Sequence, residues 1–207
     1  MLTQPSLPAR SRGFSLIELM VTVTLLGVLV LLAIPSMAAW IRNNKVRTVA
    51  DALENGLRVA QVEATRRSRQ VVFVLTNSPT PDTGLTAVAN GGYWATKTIK
   101  LVTGNSDTAD FIESGTLSGT AANVQIKGPS AVCFSALGRV TFPATTGVNG
   151  GNCTPPATGT TDAARYDISL DGPGARPLRV LVSLGGQVRM CDPAKTLSST
   201  HPDGCPS

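Results

Sequence analysis

The sequence predicts an α+β fold: one long N-terminal helix, transmembrane at first and amphipathic later, packed on an antiparallel β-sheet head. Three observations carry that expectation. Residues 14–34 hold one acid and no base among 21 positions. Apolar residues then recur at helical spacing, and every strand-like run comes after them. With 207 residues, 42% apolar and 15% charged, the chain has room for one domain plus an appendage. Such a distribution excludes a wholly disordered chain and a fully soluble cytosolic globule. One apolar segment also excludes a polytopic transporter.

As a helix, the run 14–34 would be ~31 Å long at ~1.5 Å per residue, enough to cross a hydrocarbon core of ~30 Å. Arg10 and Arg12 precede it, which orients the rest of the chain outward. In a secretory signal peptide the small-residue cleavage site follows the apolar core. Here the small residue, Gly13, precedes it, so cutting after Gly13 would leave the apolar helix on the mature chain. Glu18 lies inside the run, where a carboxylate costs ~2.5 kcal/mol or more and needs a partner or a role. Cleavage after Gly13 would create an amine at Phe14. Along one helix axis that amine and Glu18 pair awkwardly; between two parallel, staggered helices they pair easily.

The stretch Arg12-Gly13-Phe14-Ser15-Leu16-Ile17-Glu18-Leu19-Met20 resembles the class III signal of type IV pilins and type II secretion pseudopilins. The resemblance implies cleavage between Gly13 and Phe14 by the prepilin peptidase, N-methylation of the new Phe14, and use of Glu18 in subunit assembly. Gly27 and Pro35 interrupt the same helix, since glycine weakens a helix by ~1 kcal/mol relative to alanine and proline removes a backbone hydrogen bond. In related pili such a stretch loosens on packing into the filament, so Gly27–Pro35 is the candidate here, with a static kink as the alternative.

Beyond the apolar run, Val46, Val49, Ala50, Leu53, Leu57, Ala60 and Ala64 form one helical stripe, with charged residues on the other faces. Asn55-Gly56 weakens the middle without ending the pattern. A helix over 14–70 would be ~85 Å long. The segment from Trp40 to Gln70 carries seven bases against three acids, whereas 71–207 balances nine against nine. The net charge of +5 therefore belongs to the leader and the helix. A basic stretch just past a membrane span reads as a solvated helix face, or a contact with inner-membrane lipid, rather than a nucleic-acid site.

Short β-branched runs bounded by turn residues predict strands at 71–75, 93–102, 124–127, 131–135, 139–142, 165–170, 178–184 and 187–191. Gly185-Gly186 is a hairpin signal between the last two. Loops are expected at 76–92, 103–120 and 144–164. Strands gathered after one helix give the α+β arrangement of pilin heads. Two stretches, Cys133-Phe-Ser-Ala-Leu-Gly-Arg-Val-Thr-Phe142 and Leu184-Gly-Gly-Gln-Val-Arg-Met-Cys-Asp-Pro193, resemble the carboxy-terminal hairpin motifs of the GspH/FimT/FimU group of minor pilins and pseudopilins. The resulting division is a leader at 1–13, a transmembrane and assembly helix at 14–35, an amphipathic helix at 36–70, and a periplasmic head at 71–207 with a disulfide-closed C-terminal loop.

All four cysteines follow residue 130, which suits the oxidising periplasm. Of the three pairings that four cysteines allow, Cys133–Cys153 and Cys191–Cys205 are favoured, because each closes a short loop rich in Gly or Pro. Each bridge would contribute ~2–4 kcal/mol. No zinc-like spacing appears, and the single histidine, His201, sits in a Pro/Gly-flanked tail. There is no G-x-S-x-G, H-E-x-x-H, Walker or dinucleotide signature, and Gly172-Pro-Gly174 places a proline where a phosphate cradle needs an N–H. Asp107 and Asp110 read as loop solvation. No catalysis, metal or cofactor is expected.

The functional expectation is a minor pilin-like subunit of the tip or priming complex of a type IV pilus, partnered by other minor and major pilins. A GspH-type pseudopilin of type II secretion fits the same residues. The third reading is a FimT-like DNA receptor, since some FimT relatives bind DNA through a Gly-Arg-x-Arg segment. Here that segment is Gly186-Gln187-Val188-Arg189, with one arginine replaced. Arg176 and Arg179, with Arg139 and Arg165, are the remaining candidates. With a neutral head and a lost phosphate contact, weak or absent DNA binding is expected.

Overall fold

The computed structural model describes residues 13–80, 84–100, 108–117, 123–157, 159–160 and 162–206. Arg10, Arg12, Asp107 and the end of the expected strand 93–102 lie outside them. The chain divides into two compact units, Met1–Trp40 and Ile41–Ser207.

In the first unit, helix α1 (Leu16–Arg66) starts two residues later than expected and is continuous through Gly27 and Pro35.

In the second unit, the C-terminal part of α1 buries the expected stripe: Val46, Val49, Ala50, Leu53, Leu57, Ala60 and Ala64 are each at most 1% exposed. The helix ends at Arg66 rather than at residue 70. Ser68 takes a left-handed conformation (φ 50°), the Ser68 N–H bonds to the Thr65 carbonyl, and the Arg69 N–H bonds to that of Ala64. That is a Schellman stop. The usual glycine is absent, so the sequence carries no visible end signal there.

Among the described residues two five-stranded sheets follow, where a single sheet was expected. The first has the order β3-β2-β1-β5-β6, from β1 (Val71–Thr76), β2 (Tyr93–Thr98), β3 (Phe111–Thr116), β5 (Ala131–Phe134) and β6 (Val140–Thr141), all antiparallel. The second has the order β10-β9-β8-β7-β4, from β4 (Gln125–Lys127), β7 (Asp162–Ser169), β8 (Leu178–Ser183), β9 (Val188–Thr196) and β10 (Gly204–Cys205). Its pairings are antiparallel except that of β10 with β9. Strand β3 falls inside a stretch expected to be loop, and β9 runs five residues past Cys191.

One core joins α1 to both sheets: Leu53 and Leu57 meet Phe73, Leu75 and Phe134 from the first and Tyr166, Ile168 and Val180 from the second. The back of the first sheet is also covered. Val72, Val74, Ala95 and Cys133 pack under Leu85, Ala87 and Val148 from two loops. Strand β1 is therefore buried on both faces, which is why Val-Val-Phe-Val-Leu reads as an unbroken apolar run.

Gly56 has a packing role. A Cβ there would lie 2.8 Å from the Trp94 indole and 3.0 Å from the Phe73 ring. Gly115 presses on the same indole from β3, so Trp94 sits between two glycines.

Candidate functional site: the N-terminal junction and the head surface

Gly13, Phe14 and Ser15 precede the helix without regular structure. The Ser15 hydroxyl accepts a hydrogen bond from the Glu18 N–H at 3.2 Å, so Ser15 is the N-cap of α1. Glu18 is the third helical residue, and Ser15-x-x-Glu18 has capping-box spacing, which places the carboxylate at the positive end of the helix dipole. The capping-box spacing was visible in the sequence and was not read from it. Glu18 is exposed and makes no ion pair among the described residues.

Cleavage after Gly13 would free the Phe14 amine one residue before this cap. The hydroxyls of Thr22 and Thr24 donate to the Leu19 and Val21 carbonyls at 2.9 Å, so both are satisfied within the helix. Glu18 is the one charged side chain of the run 14–34, and it has no ion pair among the described residues.

From Phe14 to Ile34 every described side chain is exposed. The helix contains a window of mean hydropathy 2.6, none of it buried, long and apolar enough to cross a membrane. Apart from its chain neighbours and the adjoining helix backbone, no atom of the described residues comes within 4 Å of where a Cβ on Gly27 would lie.

Compared with protein-family models, residues 8–34 match the prokaryotic N-terminal methylation motif. The chain carries a prepilin-type N-terminus. No curated relative matches by sequence. Among solved structures, the type IV minor pilin FimU of Pseudomonas aeruginosa strain PAO1 is similar, with TM-score 0.46 and 15% identity over 75% of this chain and 94% of that one. The minor pseudopilin EpsH of the Vibrio cholerae type 2 secretion system has TM-score 0.42 and 13% identity over 73% and 99%. Likeness at these identities and scores assigns no function.

Four of the basic residues of α1, Arg47, Arg58, Arg66 and Arg67, share three carboxylates. Arg58 pairs with Glu54 at 2.5 Å, and Arg66 and Arg67 both grip Glu63, at 2.7 and 2.8 Å. Those two arginines hold the Glu63 carboxyl down to about 2, against partial burial that pushes it up. Arg42 donates to the Pro173 carbonyl at 2.6 Å, and Asn43 donates to the Gly174 carbonyl and accepts from the Arg176 N–H. The Gly172-Pro-Gly174 turn is thereby stapled to the helix.

The head arginines are not gathered into one patch by their contacts. Arg179 on β8 is ion-paired with Asp167 at 2.6 Å, and Arg189 on β9 donates to the Pro202 and Gly204 carbonyls at 2.9 and 3.2 Å. Arg165 lies 3.9 Å from Asp162. Arg139, on the β5–β6 turn, and the Arg176 side chain are exposed.

Disulfides join Cys133 to Cys153 and Cys191 to Cys205. The two hairpin stretches singled out in the sequence meet at Gln61 of α1, which donates to the Gly138 carbonyl at 3.0 Å. A Cβ on Gly186 would fall 1.9 Å from that same oxygen, and Gly186 has φ 90°. The Val140 N–H bonds to the Leu184 carbonyl, linking the sheets at this corner. Gln61 was not singled out from sequence; a lone glutamine on a helix carries no signal for this contact.

A cleft of about 300 Å³ lies between β5, β7 and the Pro155-Pro156 loop, with the Asp162–Arg165 pair at its rim. Among the described residues no group of three or more His, Cys, Asp or Glu side chains could hold a metal ion.

Proposed function

We propose that this chain is a minor pilin-like structural subunit, anchored in the inner membrane by the N-terminal part of α1 and assembled into the tip or priming complex of a type IV pilus. The observation that carries the reading is the N-terminal junction: a methylation motif at 8–34 over an apolar stretch, 14–34, whose side chains are all exposed, with one carboxylate that has no ion pair among the described residues. That helix needs a lipid or protein environment on every side, and Glu18 needs a cation. A freed, N-methylated Phe14 amine on a neighbouring pilin supplies that cation. Partners are then the prepilin peptidase, inner-membrane lipid and other minor and major pilins, with the head in the periplasm. The same residues serve equally in a type II secretion pseudopilus. DNA reception finds less support, because Arg189 and Arg179 are already engaged within the chain.

The test is incorporation. Wild-type chain is expected as a low-abundance component of sheared surface filaments. Glu18→Val is expected to be processed and membrane-inserted normally yet fall at least several-fold in the filament fraction. Wild-type incorporation of Glu18→Val would count against the pairing.

A further inference from the structure

The chain contains three Asn-Gly pairs, Asn55-Gly56, Asn90-Gly91 and Asn149-Gly150. At such a pair the backbone nitrogen of glycine, unhindered by a side chain, can attack the asparagine carboxamide carbon. Whether it does depends on the freedom of both groups, and the fold treats the three pairs differently.

Gly56 is buried inside α1, where its N–H belongs to the helix ladder and its Cα faces Trp94. Asn90 is held at both ends: its Oδ1 accepts from the Ile126 N–H at 2.6 Å and its Nδ2 donates to Gln125 at 2.8 Å. Gly91 is buried, with a Cβ position 2.4 Å from the Thr76 nitrogen. Asn149 and Gly150 are both exposed, and neither the Asn149 carboxamide nor the Gly150 N–H has a hydrogen-bond partner among the described residues.

We infer that Asn149 is a site of spontaneous deamidation, a covalent modification that the fold permits there and suppresses at the other two pairs. The Gly150 nitrogen bonds to the Asn149 carboxamide carbon, and the carbon–nitrogen bond of the carboxamide breaks. The displaced nitrogen leaves as ammonia, carrying the proton from the Gly150 N–H. Water then opens the resulting cyclic imide at either carbonyl, leaving an aspartyl or an isoaspartyl residue at position 149. No oxidant or reductant takes part.

The consequences follow from what position 149 holds. Its carbonyl accepts from the Ala87 N–H at 2.8 Å, and the Gly150 carbonyl accepts from the Ser130 hydroxyl at 3.0 Å. The loop is tied by Cys153 to β5 and covers the back of the first sheet with Val148. An isoaspartyl linkage routes the main chain through the former side chain, lengthens it by one methylene, and turns the Asn149 carbonyl that Ala87 now bonds into a branch carboxylate, so the Ala87 contact cannot persist in its present form. Either product also adds a negative charge to a neutral head. The inference is independent of the filament assignment.

The experiment is peptide mapping by mass spectrometry, with separation of aspartyl and isoaspartyl forms, on full-length protein aged at near-neutral pH. Reduced, denatured chain, where all three pairs are free, serves as the reference. The 149–150 peptide is expected to convert at least tenfold faster than the 55–56 and 90–91 peptides in the folded protein, and at comparable rates to them in the denatured one. Ala87 amide-exchange protection is expected to fall in step, and Asn149→Gln to remove both changes. Equal conversion at the three pairs in folded protein, or an intact 149–150 peptide when the denatured chain converts, would overturn the inference.

Discussion

Glu63 sets the chemistry of the end of α1. Its carboxyl is depressed by hydrogen bonds from Arg66 first and Arg67 second. A depressed carboxyl stabilises the fold at pH above its ordinary value of 4.5 and loses that contribution as pH falls toward about 2. The thermal midpoint of wild-type protein is therefore expected to drop more steeply than that of Glu63→Gln across this window; parallel curves would refute the coupling. Tyr166 presents the opposite case. It is fully buried, its hydroxyl has no hydrogen-bond partner among the described residues, and burial pushes the phenol well above its ordinary range. A buried hydroxyl without a partner costs ~1–3 kcal/mol, so Tyr166→Phe is expected to keep or raise stability by about 1 kcal/mol in denaturant melts. A loss of that size would mean the hydroxyl is satisfied. Arg189, read from sequence as a candidate DNA contact, bonds two carbonyls of the C-terminal loop that the Cys191–Cys205 bridge closes.

At the scale of elements, α1 was legible because its buried face repeats at the helical period, and every position of the stripe is in the core. Its C-terminus was not, since Ser68 takes the left-handed position without glycine. Strand β1 was legible as a doubly buried run. Strand β3 was not: Phe-Ile-Glu-Ser-Gly-Thr is a half-exposed sheet edge, with too little burial to leave a period in its composition. The two-residue β10 exists where Cys205 is tied to β9, a constraint that strand propensity does not record. Asn55-Gly56 looked like a weak point of the helix and is a contact point. Gly56→Ala should gain ~1 kcal/mol in helix propensity but lose ~1–3 kcal/mol by forcing a methyl into Trp94, which Gly115 backs on its other side. A net loss of stability is expected by thermal melting, and a gain would show that Trp94 can move.

For the whole molecule, the candidate site was the most legible part, because its chemistry is local in sequence: Gly13, Phe14, Ser15 and Glu18 lie within six residues. The head surface was less so, since pairing decides which arginines are free, and pairing is tertiary. The second unit has its own core, disulfides and ion pairs, whereas the first displays an apolar helix that none of its described residues covers. On the proposed reading the helix passes from lipid to a bundle of similar helices, where the freed amine of a neighbouring pilin is the matching charge for Glu18. The central claim is therefore about one peptide bond. N-terminal mass spectrometry of the chain from assembled filaments should show residues 1–13 removed and N-methylated Phe14 at the start. Recovery of filament-borne chain that still carries Gly13 and the residues before it would contradict the account.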